Sequence, residues 1–166
     1  MTKPASAAVA ALASALWLAA SGAAGAHAYD VGSLHIGHPW IRATPNGAPT
    51  AAGYLTVTNH GQTADRLLGG STPLARSIEP HTMSMNGGVM RMRLAPEGFE
   101  IAPGATLTLA PGGNHLMLVA PAHTFKAGER VPVTLRFARA GEVKVDFVVQ
   151  ADEEGPNAPM ARMPMR

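Results

Sequence analysis

Cysteine is absent from the 166-residue sequence, and its absence excludes several kinds of chemistry. Without a thiol there is no disulfide, no cysteine nucleophile and no thiol–disulfide exchange. A blue-copper centre is excluded as well, because it needs a thiolate ligand. A domain of this sequence must therefore be held together by its core alone.

Charged residues are also scarce, at 14% of the sequence. Lys3 is the one basic residue among the first 28, so the remainder has 12 of the 13 Lys and Arg against all 11 Asp and Glu. Binding to nucleic acid needs a concentrated basic surface, which a nearly neutral chain does not offer. We therefore expect no nucleic-acid partner.

The N-terminus has the pattern of an export signal. Lys3 precedes an apolar run from Ala5 to Ala20, and small residues then lead to Ala26-His27-Ala28, which fits a signal-peptidase site. Serines at positions 6, 14 and 21 dilute the run, which disfavours a permanent membrane span. We interpret residues 1–28 as a Sec signal peptide and expect a periplasmic protein without stable membrane insertion after cleavage.

The rest of the chain is predicted to be one all-β domain, residues 29–150, followed by a flexible tail, residues 151–166. Apolar and polar residues alternate in several segments, which is typical of half-buried strands. Gly and Pro total 32 residues and separate these segments, as expected of an antiparallel sandwich or barrel. The predicted strands are Leu34–Ile36, Tyr54–Asn59, Leu67–Gly69, Ala75–Glu79, Val89–Leu94, Thr106–Leu109, His115–Val119, Val131–Phe137 and Val143–Val149.

Methionine and histidine are concentrated in one region. In an extended segment, His81, Met83 and Met85 share a face, and Met90 and Met92 share a face of the next strand. A turn at 86–88 would fold these two segments against each other. Further along, His115 and Met117 form another pair on one face.

This combination of donors points to a soft metal ion. Thioether sulfur is soft and uncharged, and imidazole is a borderline donor, so a Met/His site without Cys suits Cu(I) better than zinc, calcium or magnesium. A single Met in a strand more often fills a core. The repeated His-x-Met pattern in one exported, Cys-free domain nevertheless favours copper.

The same region resembles the PCu(A)C family of periplasmic copper chaperones. Its motif is a His, ten residues, a Met, about twenty-one residues and His-x-Met, and here His81 is followed by ten residues, Met92, twenty-two residues and His115-x-Met117. The similarity extends over residues 30–150, through segments 38–45, 53–54, 59–61 and 110–113.

The resemblance implies a cupredoxin-like Greek-key β-sandwich or barrel that binds one Cu(I). It implies His81, Met92, His115 and Met117 as ligands, with Met90 as the rival of Met92. Met83 and Met85 are secondary candidates that would guide copper in or out. The implied partners are the copper-bearing subunit of cytochrome c oxidase, at its binuclear copper centre, and a thiol-bearing Sco-type protein. The resemblance implies a carrier and not an enzyme, and we expect a monomer.

Three alternatives remain open at the sequence level. The protein could store copper or confer resistance to it. It could be a copper enzyme, because cleavage after Ala26 would expose His27 as an N-terminal copper chelator, as in oxidative copper enzymes. The domain could also be purely structural.

The role of the tail is a separate question. Methionines 160, 163 and 165 could form a second copper site, or the tail could be filler. We expect Trp40 to belong to the core and histidines 35, 38, 60 and 123 to be structural or surface residues.

Overall fold

The structure, a computed structural model, describes residues 28–151. This range contains eleven strands and no helix, so no helix within it is long and apolar enough to cross a membrane. The predicted signal peptide up to His27 and the predicted tail from Asp152 lie outside the described residues. The strands are β1 (Tyr29–Val31), β2 (Leu34–Arg42), β3 (Thr50–Asn59), β4 (Asp65–Ser71), β5 (Ala75–Asn86), β6 (Val89–Leu94), β7 (Phe99–Ile101), β8 (Thr106–Leu109), β9 (His115–Pro121), β10 (Arg130–Phe137) and β11 (Gly141–Gln150).

The alternation of apolar and polar residues in the sequence corresponds to a buried and an exposed face of a strand. In β10 and β11, Val131 lies opposite Phe147, and Val133 lies opposite Val145, with all four side chains buried. The intervening positions, such as Arg130 and Pro132, are exposed. Burial of every second side chain supplies the apolar contacts that hold a cysteine-free domain together.

Seven strands close into a barrel. Their order is β2, β11, β10, β4, β5, β9 and β3, and pairing between β3 and β2 completes the ring. Strands β11 and β2 are parallel, and the other pairs in the ring are antiparallel. The short strands β1, β7 and β8 and the longer β6 lie outside the ring, where they pair with β2, β4, β3 and β5. The predicted all-β architecture is confirmed.

The strands differ from the sequence-based expectation in number and in length. The three-residue strands β1 and β7 were not predicted, and β2, β3 and β4 extend beyond the predicted segments Leu34–Ile36, Tyr54–Asn59 and Leu67–Gly69. Strand β5 continues from Ala75 to Asn86 through Pro80, where the predicted strand ended at Glu79. Pro80 lacks an N–H, but its carbonyl accepts a hydrogen bond from Ala95, which keeps the chain extended there. Strand β5 thereby reaches beyond the barrel wall and carries β6 with it.

Candidate metal centre

The two motif histidines lie side by side on neighbouring strands of the barrel. Strand β5 pairs with β9 so that His81 is directly opposite His115, and their ring centroids are 5.9 Å apart. Met117 follows on the same face of β9, opposite Glu79. Leu116 and Leu118 point into the core, so His115 and Met117 lie on the outer side of the barrel wall.

The β5–β6 hairpin brings Met92 to the same place. A two-residue turn at Gly87 and Gly88, both with positive φ, joins the strands, as the sequence predicted. In the resulting register, Met92 lies opposite Met83, two pairs beyond His81 and on the same face of the hairpin. A cavity of about 280 Å³ opens here. Its lining includes Met83, Met92, His115 and Met117, together with Arg42, Tyr54 and residues of the loops at 43–45 and 111–112.

His115 is held with one ring nitrogen available. The side chain is buried, at 5% exposure, and its Nδ1 lies 3.0 Å from the carbonyl oxygen of Gly113. A carbonyl only accepts, so Nδ1 carries the proton and Nε2 keeps its lone pair. The tight loop before the strand, closed by the hydrogen bond from Ala110 N–H to the Asn114 carbonyl, fixes this contact.

In His81 the other ring nitrogen, Nε2, makes the hydrogen bond. Its Nε2 lies 3.3 Å from Oε2 of Glu79, and the hydroxyl of Ser77 donates to the other carboxylate oxygen over 2.8 Å. With the proton on Nε2, the lone pair is on Nδ1, which is buried and has no hydrogen-bond partner. An unsatisfied buried nitrogen is costly in a folded protein, and a metal ion would satisfy it. This orphaned atom fits a metal site.

Glu79 is a candidate positioning residue that the sequence analysis missed. The hydrogen bond from the Ser77 hydroxyl, followed by that from His81, lowers the pKa of the Glu79 carboxyl against the opposing effect of partial burial. The ionised form accepts the imidazole N–H and orients the ring, as carboxylates commonly do behind metal-binding histidines. The spacing Glu79-x-His81 was the available signal, because residues i and i+2 share a strand face.

We expect Glu79→Ala to weaken Cu(I) binding roughly tenfold, the lower end of the usual effect of losing such a partner. Glu79→Gln should lose less Cu(I) affinity, because the amide oxygen can still accept a hydrogen bond from the Nε2–H of His81. The measurement is an anaerobic Cu(I) competition titration, with Glu142→Ala on β11 as the matched control. Equal affinities for Glu79→Ala and Glu142→Ala would contradict the orienting role.

The pH dependence of this interaction has a defined sign. Because folding lowers the pKa of Glu79 from its ordinary value of 4.5, the ionised carboxylate stabilises the folded state above that pH. This contribution to folding stability is lost as the pH falls through the lowered pKa of Glu79 in the folded state. The side chain is 40% exposed, so solvent screens much of the effect.

The secondary candidates divide into two groups. Met83 lines the cavity with Met92, whereas Met85 and Met90 pair with each other near the hairpin turn, two residues farther along β5 from His81. This register favours Met92 over Met90 as a partner of His115 and Met117. That these side chains bind a metal ion stays a prediction.

The remaining sequence candidates lie elsewhere. Trp40 is buried, as predicted, and packs on Tyr54 with ring centroids 4.5 Å apart. His35 contacts Asp30, and His123 contacts Glu129. Among the histidines of residues 28–151, His115 alone lines the cavity; His81, on the neighbouring strand, and the four others do not.

The fold and the paired His/Met side chains define a small all-β domain with a candidate soft-donor centre on the outer side of its barrel wall. Comparison with known proteins agrees with this class. The LpqE-like family model matches residues 34–149. "Putative lipoprotein Lxx21020" of Leifsonia xyli subsp. xyli (strain CTCB07) is 33% identical over 124 residues, which are 75% of this chain and 73% of that protein.

Solved structures give the same result. The copper-bound PCuAC domain from PmoF2 is 34% identical, with a TM-score of 0.64, and the match covers 75% of this chain and 98% of that domain. The solution structure of CuI-DR1885 from Deinococcus radiodurans is 32% identical, with a TM-score of 0.57, and the match covers 76% of this chain and 83% of that protein. The chain therefore belongs to the LpqE-like, PCuAC family, and its barrel has the cupredoxin-like fold expected from the resemblance.

Proposed function

We propose that the protein is a periplasmic copper chaperone that binds one Cu(I) through His81, Met92, His115 and Met117. The observation that carries the proposal is the buried, unpartnered Nδ1 of His81 beside His115. Each imidazole has a different nitrogen occupied by a hydrogen bond, so each presents one lone pair. Two imidazoles and two thioethers on one outer face suit Cu(I).

The strands that carry these donors support transfer of the ion. His81, His115 and Met117 belong to the barrel strands β5 and β9, whereas Met92 belongs to β6, which pairs only with β5 in the described domain. Met92 is therefore the donor with the least structural support. An acceptor ligand would replace Met92 first, while the barrel donors still hold the ion. Transfer to a thiolate-rich acceptor is then downhill, because Cu(I) prefers thiolates.

Copper-bound structures of relatives support the proposal that this protein binds copper. PmoF2 has a copper-bound PCuAC domain, and DR1885 has a structure with Cu(I). The PCuAC family is a family of metal carriers and not of enzymes. The lipoprotein name of the family and of the Leifsonia relative supports export, as does the N-terminal sequence pattern.

We further propose that the acceptor is the copper-bearing subunit of cytochrome c oxidase, where the ion enters the binuclear centre, with a Sco-type thiol protein assisting. The chaperone acts as a monomer that docks transiently. Support comes from the motif resemblance and from the exposure of Met92, which leaves one of the proposed donors within reach of a partner.

The test is anaerobic transfer of Cu(I) from the exported protein to the reduced soluble domain of that oxidase subunit. We expect the loaded chaperone to lose its ion and the acceptor to develop the absorption of a binuclear centre after oxidation. A matched acceptor with its copper-binding cysteines replaced by serine should receive none. Retention of the ion by the chaperone would contradict delivery and favour storage or resistance.

A further inference from the structure

The β5–β6 hairpin has more exposed apolar surface than any other part of the described domain. The exposed large hydrophobic side chains of residues 28–151 all belong to it: Met85, Val89, Met90, Met92 and Leu94. Every residue of β6 is exposed. Core packing therefore does not explain these methionines.

The register arranges four thioethers as two cross-strand pairs. Met83 lies opposite Met92, and Met85 lies opposite Met90. Directly opposite side chains have Cβ atoms about 5 Å apart, and the flexible Met side chain allows two such sulfurs to approach one ion. The pair Met85 and Met90 is 67% and 46% exposed, so an ion from solvent reaches it without opening the fold.

This outer pair is separate from the candidate centre. Successive residues on one strand face are about 7 Å apart, which places Met85 about 13 Å along β5 from His81. An ion held by Met85 and Met90 therefore cannot share the histidines. Met83 lies between the two positions: it lines the cavity of the candidate centre, and its flexible side chain can also complete a three-thioether set with the outer pair.

The charges on the hairpin are kept apart from the thioethers. Arg91 and Arg93 occupy the alternate positions of β6, opposite Ser84 and Thr82. Alternation places both guanidinium groups on the other face of the hairpin. The thioether face thus offers uncharged soft donors, which select Cu(I) over hard divalent cations.

We propose that Met83, Met85 and Met90 form a second, weaker site for a soft monovalent cation at the outer end of the hairpin. Binding there requires only the three thioethers. Its use for loading the inner centre rests on the proposed chaperone function.

The test is a titration of the full exported chain with Ag(I), a soft d¹⁰ probe, followed through the methyl NMR signals of its methionines. We expect the first equivalent to shift the signals of Met92 and Met117. The second equivalent should shift those of Met83, Met85 and Met90.

The decisive variant is Met85→Leu/Met90→Leu, which keeps the apolar surface and removes the sulfurs. We expect it to weaken the second equivalent by more than the roughly tenfold that losing an outer-shell partner costs, and to leave the first unchanged. The matched control, Met160→Leu/Met163→Leu, removes two thioethers from the tail and should change neither. A second equivalent that survives the hairpin variant, is lost in the tail variant or never appears would overturn the proposal.

These outcomes are separate from failure of the proposed function. That failure would appear as a first equivalent that does not shift the Met117 methyl signal. If the hairpin variant binds both ions normally but docks poorly on the acceptor, the hairpin is a protein-docking surface and the second metal site is overturned.

Discussion

Replacing both His115 and Met117 by alanine will remove the tight Cu(I) equivalent. The two side chains occupy one face of β9 and supply half of the proposed donors, including the Nε2 lone pair of His115. We expect the affinity to fall by more than about 100-fold, the upper end of the effect of losing only an outer-shell partner. An anaerobic titration against a chromophoric Cu(I) competitor measures the change.

The controls separate loss of donors from loss of structure. His115 is buried, so His115→Gln/Met117→Leu, which better preserves side-chain volume, should be tested beside the alanine variant. Both should retain the β-sheet circular dichroism of the wild type. His60→Ala/Met160→Ala, which removes one His and one Met elsewhere, should bind normally, as should a chain ending at Gln150. Unchanged binding in both β9 variants would show that these side chains serve packing alone.

Gly98→Ala will destabilise the domain far more than Gly104→Ala. Both glycines have a left-handed backbone, with φ of 71° and 72°. A Cβ at Gly98 would collide with the carbonyl oxygen of Leu67 on β4, whereas a Cβ at Gly104 has nothing within 4 Å. The left-handed conformation alone costs an alanine about 1–2 kcal/mol. The collision with backbone should raise the loss at Gly98 to about 3 kcal/mol or more.

Thermal unfolding followed by circular dichroism measures this difference. For a domain of this size, we expect the midpoint of Gly98→Ala to fall by roughly 10 °C, and that of Gly104→Ala by about a third as much. The turn containing Gly98 follows β6 and leads to β7, so its displacement should also weaken Cu(I) binding through Met92. Equal unfolding midpoints for the two variants would contradict the prediction, because they would mean that β4 shifts at Leu67 without cost to accommodate the new Cβ.

Much of the fold was predictable because local pattern determines which residues form strands. Alternation in segments such as Val131–Phe137 identified most of the longer strands, and the Asn86-Gly87-Gly88 turn correctly joined β5 to β6. The closure of the barrel was not predictable from pattern. The parallel pairing of β2 with β11 and the antiparallel pairing of β2 with β3 join distant segments, and one sequence contains no signal for such pairings.

The candidate centre was likewise predictable only in part: the sequence indicated its residues but not their hydrogen bonds. The motif resemblance named His81, Met92, His115 and Met117, and the structure brings them together through the β5–β9 and β5–β6 registers. Their role as ligands stays a prediction. Which imidazole nitrogen is available depends on hydrogen bonds to Glu79 and to the Gly113 carbonyl. Side-chain contacts of this kind depend on the folded register, although Glu79-x-His81 carried a partial signal.

The outer edge of β6 has a consequence for self-association. In the part of the chain that the structure describes, β6 pairs only with β5, so its free edge offers backbone N–H and C=O groups to another strand. An antiparallel pairing of two copies centred on Met92 would set Arg91 of one copy opposite Arg93 of the other. Like charges directly opposite each other destabilise a sheet. In that register the two arginines disfavour edge-to-edge pairing, which leaves the thioether face of the hairpin uncovered.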